Sequence, residues 1–173
     1  METNNSIYFY KADGIFGYMS NFYKTNFVDN EGIKFCCSEQ YLMYWKAKTF
    51  EPENTQLLQS ILKETKPSKV KALGRSVQNY NEQVWNQIRF GIMINGLRLK
   101  FEQNLTIQAL LISTENKKLY EASKHDKIWG IGFYAEQAVQ VNHKQYGTNL
   151  LGQALMVVRK ELDDKNKKVL RQL

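Results

Sequence analysis

Metal ligands are scarce in this chain: it has two histidines and two cysteines among 173 residues. Cys36 and Cys37 are adjacent, His125 and His143 lie far apart, and neither C-x-x-C nor H-E-x-x-H occurs. An all-protein zinc site would therefore need an unusual ligand set, and no metal is expected. Neighbouring cysteines close a strained disulfide ring, so free thiols and a reducing, cytoplasmic setting are expected. Only two prolines occur, Pro52 and Pro67, and no Gly/Ser linker or internal repeat divides the sequence. One domain over residues 1–173 is the expectation, with 163–173 as a charged end. No apolar run approaches the roughly 18 residues of a membrane span. The first residues, Met1 to Ser6, lack the apolar stretch of a signal peptide.

What is present suits a folded protein. Apolar residues make up 43% and aromatics 13%, enough for a core and too many for intrinsic disorder. The 24 Lys and Arg outnumber the 17 Asp and Glu, giving a formal charge of +7. That balance allows a phosphate-bearing or nucleic-acid partner without specifying one. The densest basic cluster, Lys165 to Lys168, follows Asp163 and Asp164 and has the character of a solvated helix end.

Element signals point to an α+β fold, helix-rich with a few short strands. Weak alternation over Ile7 to Tyr10 predicts a first strand, and Asn30-Glu31-Gly32 predicts a turn between two short strands within Tyr23 to Phe35. Cys37-Ser38 offers an N-cap for a helix reaching about Phe50. Pro67-Ser68 opens a further helix with Gly74 as its expected end. Val84, Ile88, Ile92, Leu99 and Phe101 predict a helical stripe from Val84 to Gln103. Leu105 to Ser113 continues helically, Lys118 to Ala122 predicts a strand, and Asn149 to Leu162 a last helix with Leu151, Leu155, Val158 and Leu162 as its apolar stripe.

Three segments carry candidate chemistry. Glu39 sits in the first turn of the first helix, where a carboxylate also complements the macrodipole. Lys46 is two turns on along the same face, with Met43 between. The pair fits a sugar and a phosphate, or two ends of a solvated stripe. The second segment runs from Tyr120 to Gly132 and compresses Asp126, Trp129, Gly130 and Gly132 into a loop. Glycines flanking one residue let backbone approach a ligand and turn N–H groups toward an anion. Its ordinary reading is a surface turn with Trp129 as a core aromatic. Gly130 to Ala135 also satisfies G-x-G-x-x-A, but without a βαβ unit around it. The third segment holds Ser20-Asn21-Phe22-Tyr23 and Gly74-Arg75: Asn21 can read a polar base edge and Arg75 can clamp phosphate. Arg159 on the last helix can reach a phosphate or a neighbouring carboxylate. His125, among Lys124, Asp126 and Lys127, fits a surface position better than a proton carrier.

Taken together these segments resemble the NADAR (YbiA-like, DUF1768) N-glycosidase family. The resemblance rests on Met19-Ser20-Asn21-Phe22-Tyr23, Ser38-Glu39-Gln40-Tyr41 with Lys46, Gly74-Arg75, Trp85, Met93 and Lys100-Phe101. It continues through Glu121-Ala122-Ser123, Asp126, Trp129 to Gly132, and Asn149 to Gly152 with Leu155-Met156 and Arg159. It spans about residues 7–162. It implies a small α+β domain that hydrolyses the bond between ribose C1′ and a base-type nitrogen, with no cofactor. Glu39 and Asp126 would be the site's carboxylates, Trp129 its aromatic wall and Lys46 the basic residue facing the sugar-phosphate. Ser20, Asn21, Phe22, Arg75, Gly130, Gly132 and Arg159 would complete substrate binding. The chain departs from the family pattern at Cys36-Cys37-Ser38, where relatives often carry Pro-Thr-Val, at Lys24 in place of a proline, and at Gln40 in place of a histidine.

The substrates so implied are ribosylamino-pyrimidine phosphates of riboflavin synthesis, or ADP-ribose on guanine, free or within nucleic acid. A non-catalytic module binding ADP-ribose or an NAD-derived nucleotide is the alternative, and two carboxylates argue against it. Breaking a C1′–N bond builds positive charge on the sugar, which a fixed carboxylate stabilises. Water then attacks with general-base help, and an indole can hold the departing base.

Overall fold

A computed structural model describes residues 1–172, and its helix-rich α+β architecture is the one expected from the sequence. Contacts divide it into two units: residues 21–104, and Met1–Ser20 together with the segment from Leu105 onward.

In the unit 21–104, strands β1 (Phe27–Val28) and β2 (Lys34–Phe35) pair antiparallel, Phe27 opposite Phe35. Their turn is built as the sequence predicts. Asp29 Oδ1 accepts the N–H groups of Glu31 and Ile33 at 3.0 and 2.9 Å, and Gly32 takes the left-handed φ of +80° that a side chain would resist. Helices α1 (Ser38–Phe50), α2 (Thr55–Lys63), α3 (Pro67–Arg75) and α4 (Glu82–Glu102) follow, with α1 packed on the other three. Little in the sequence announces helix α2: its buried stripe reduces to Leu58 and Ile61, and its start is capped by Asn54, whose side chain accepts the Leu57 N–H at 3.0 Å.

Two expectations are corrected here. Gly74 does not end α3, which runs on to Arg75 in helical geometry; it lets α1 approach, because a Cβ there would stand 1.9 Å from Met43 Sδ. The buried face of α4 is Trp85, Met93, Gly96, Leu97, Lys100 and Phe101. Val84 is exposed, so the true stripe is displaced from the one read in the sequence. The sequence stripe drifted, and tertiary packing on Tyr41 selected the face bearing Gly96, where a Cβ would lie 2.6 Å from the Tyr41 ring.

In the other unit, β3 (Ser6–Phe9) and β4 (Lys118–Glu121) form a parallel pair in register Ser6 to Lys118. Strand Ser6–Phe9 is the N-terminal strand of the protein. Helices α5 (Leu105–Ile112), α6 (Ala135–Ala138) and α7 (Leu150–Leu170) complete the unit, with α7 on β4 and α5. The expected stripe of α7 is buried at Leu151, Leu155, Val158 and Leu162, and the helix continues through exposed Lys165 to Lys168. No described helix is long and apolar enough to cross a membrane.

The start of α7 explains one sequence block. Asn149 takes a left-handed φ of +55°, and its side chain joins β4 as an added strand would, donating to Leu119 O at 2.9 Å and accepting from Glu121 N at 3.0 Å. Gly152 lies so close to that strand that a Cβ would fall 2.1 Å from Leu119 O. Backbone cannot yield as a flexible side chain does. Gly152→Ala is therefore expected to destabilise the protein by about 1–3 kcal/mol, the usual cost of overpacking; thermal unfolding measures it.

Candidate active site

Within the unit 21–104, Glu39 lies in the first turn of α1 and is only 4% exposed. Its N–H donates to Asn21 O at 3.0 Å, tying the helix start to the Ser20-Asn21-Phe22 segment. Asn21 is buried too, and its Oδ1 has no hydrogen-bond partner among the described residues. Ser38 Oγ, one residue before Glu39, is in the same condition. A buried acceptor left unpaired costs about 1–3 kcal/mol, a cost that a ligand reaching Asn21 Oδ1 or Ser38 Oγ would relieve.

The same face of α1 continues as expected through Met43 to Lys46. Lys46 Nζ donates to Gly74 O at 2.8 Å and stands 4.4 Å from the Tyr80 ring centroid. Burial first, and then the neighbouring Arg75 guanidinium, pull its pKa below the ordinary lysine value. Arg75 itself is exposed at the end of α3. Two cations held close enough to repel make a place an anion would relieve. Phe22 is half-buried, with Lys71 Nζ 5.9 Å from its ring centroid.

Lys100 was not singled out as a site residue, yet it is fully buried on α4. Loss of hydration lowers its pKa to about 7, with Cys37 partly opposing the shift. The available signal was positional: Lys100 occupies the apolar stripe of Met93, Gly96 and Leu97, where a solvated lysine has no place.

The other candidates belong to the other unit. Asp126 organises the loop that follows β4: its Oδ1 accepts the N–H groups of Ile128 and Trp129 at 2.9 and 2.8 Å. The loop glycines are used for close packing. A Cβ on Gly130 would meet Glu121 O at 2.8 Å, and Gly132, at φ +77°, donates its N–H to Ser123 O and Asp126 O. Trp129 is half-buried, and its carbonyl accepts from Leu151 N. Ser20 is buried and donates its N–H to Gly17 O. Arg159 is buried, and its guanidinium serves Thr114 Oγ1 at 2.7 Å and Lys117 O at 2.9 Å. His125 is exposed. No cluster of three or more His, Cys, Asp or Glu side chains is placed to hold a metal among the described residues.

Comparison with known proteins agrees with the resemblance seen in the sequence. Residues 8–163 match the NADAR domain. N-glycosidase R617 of Acanthamoeba polyphaga mimivirus is 38% identical over 170 residues, covering 93% of this chain and 98% of that one. Riboflavin biosynthesis protein VVA0006 of Vibrio vulnificus (strain YJ016) is 30% identical over 91% of this chain and 39% of its own length. The NMR structure of the E. coli protein YbiA aligns with a TM-score of 0.75 at 27% identity, covering 96% of this chain and 89% of that one.

Proposed function

The chain belongs to the NADAR family, and from that membership we propose that it is an N-glycosidase hydrolysing the ribose C1′–N bond of a phosphate-bearing ribosyl substrate. The observation that carries this reading is the buried Glu39, which follows Ser38 and bonds Asn21 O through its N–H, with Asn21 Oδ1 and Ser38 Oγ both buried and unpaired. A ribose offers hydroxyl donors for the unpaired oxygens. Its C1′ becomes cationic as the base departs, and a carboxylate already stripped of water stabilises that charge without reorganising. Glu39 then serves the attacking water as general base or holds the sugar cation while water adds. Lys46 and Arg75 take the phosphate. Asp126 and Trp129 keep the roles the resemblance gives them, toward ribose hydroxyls and the departing base. Arg159, with Thr114 and Lys117 as partners, is assigned to the framework.

Two substrates share this chemistry: a ribosylamino-pyrimidine phosphate and ADP-ribose attached to guanine. Incubation with each, followed by mass identification of products, tests the proposal. Ribose 5-phosphate from the first or ADP-ribose from the second supports it and names the source. Binding of both without either product overturns it.

The phosphate assignment has its own test. Lys46→Met is expected to raise KM for the phosphorylated substrate about 10- to 100-fold, the worth of one charged hydrogen bond, with a smaller change in kcat. The dephosphorylated analogue should be turned over equally by both proteins. An equal loss for both analogues would remove Lys46 from phosphate recognition.

A further inference from the structure

Gln40 is one of the chain's departures from the family pattern, and the reaction has not used it. It is 1% exposed and lies in the first turn of α1, next to Glu39. Both ends of its amide are engaged. Oε1 accepts the Cys36 N–H at 2.7 Å, and Nε2 donates to the carbonyls of Ile61, Leu62 and Glu64 at 2.9, 3.1 and 2.9 Å. Those oxygens close α2, where a helix end leaves carbonyls without an intrahelical donor.

The start of α1 depends on this clasp. Its N-cap residue, Cys37, has extended backbone and makes no side-chain hydrogen bond to the helix. A helix start without a cap leaves its first N–H groups unserved. Here the turn is tied from two sides instead. Gln40 joins Cys36, just ahead of the helix, to the end of α2, and Asn21 O accepts the Glu39 N–H at 3.0 Å. Glu39 lies in the chain between Cys36 and Gln40, the two residues the clasp joins.

We propose that Gln40 is a positioning residue for Glu39: by clasping Cys36 and the end of α2 it fixes the first turn of α1, and so where the Glu39 carboxylate stands. The inference rests on the reading of Glu39 given above, and it assigns Gln40 no contact with substrate. Apolar burial holds helices together without setting their orientation, whereas hydrogen bonds are directional. A reacting group displaced by about 1 Å can lose about 10² in rate, so a shift of this turn is read in kcat.

The test is a double-mutant cycle on whichever substrate yields product: wild type, Gln40→Leu, Glu39→Gln and the double variant, each assayed well below its melting temperature. Asn54→Ala serves as control, since it removes the N-cap at the other end of α2. Gln40→Leu is expected to lower kcat about 10- to 100-fold with little change in KM. Added to Glu39→Gln it should cost no further rate, because the group it positions is already gone. Asn54→Ala should melt at a lower temperature and keep the wild-type kcat. If Gln40→Leu does not fold, Gln40→His, which keeps one ring donor and one ring acceptor, enters the same cycle with a smaller loss. A Gln40 effect that is equally large in the Glu39→Gln background overturns the positioning role and leaves Glu39 in the mechanism. So does wild-type kcat in the folded Gln40 variant, or an equal fall in kcat for Asn54→Ala. Wild-type turnover by Glu39→Gln alone overturns the reading of Glu39 itself, and the role of Gln40 with it.

Discussion

Replacing Glu39 by glutamine is expected to leave a folded protein that binds substrate and turns it over about 10²- to 10⁴-fold more slowly, the usual worth of a positioned acid–base group. The substitution conserves volume at a 4% exposed site and keeps the backbone N–H that bonds Asn21 O. What it removes is charge. A thermal melt checks that the variant is folded. An amide stabilises a sugar cation poorly and cannot take a proton from water, so kcat should fall while KM stays close to wild type. Single-turnover kinetics on whichever substrate yields product separates these quantities. Wild-type turnover by Glu39→Gln would remove the residue from the mechanism and with it the proposed site.

The second large effect concerns Lys100→Met, measured as stability against pH. Burial lowers the lysine pKa from 10.5 to about 7 in the folded state. Between those values the unfolded chain holds a proton that the folded chain has released, so wild-type stability rises with pH across that window. Below about 7 both states are protonated and the full cost of burying the charge is present. Methionine does not titrate, so wild type should gain stability relative to the variant as pH rises from about 7 toward 10. Urea unfolding at several pH values gives the comparison. Parallel curves would mean that Lys100 is not titrating in this range.

Local signals carried much of this protein into view. Proline at the head of α3, the Asp29 turn and the α7 stripe are set by backbone preference and periodicity within a few residues, and each was legible. The seven-residue spacing of Glu39 and Lys46 placed them on one face of α1, and Met43 and Lys46 do turn together toward Gly74. Long-range packing was not legible. Nothing near Gly74 or Gly152 announces Met43 or Leu119, which lie far away in sequence, and a glycine required by a distant neighbour looks like a helix stop. Lys100 was hidden by its residue type, since lysine is ordinarily solvated and only the stripe around it argued otherwise. The Asp126 to Gly132 and Asn149 to Gly152 segments carry part of the family resemblance, and the structure gives them an architectural role: a loop closed on its own carbonyls and a helix start docked on β4.

The parallel pairing of the N-terminal strand with β4 bears on how the chain comes to be folded during synthesis. Ser6 waits for Lys118, and a ribosome making about 5–20 residues per second delivers the whole of residues 21–104 in the meantime. That intervening segment has its own helices and contacts complete before the strand's partner exists. Until then Ile7, Tyr8 and Phe9, all buried in the finished protein, have only Met1 to Thr3 to pair with. Such an apolar segment is what a nascent-chain chaperone would hold, and pairing across so many residues slows folding relative to local contacts.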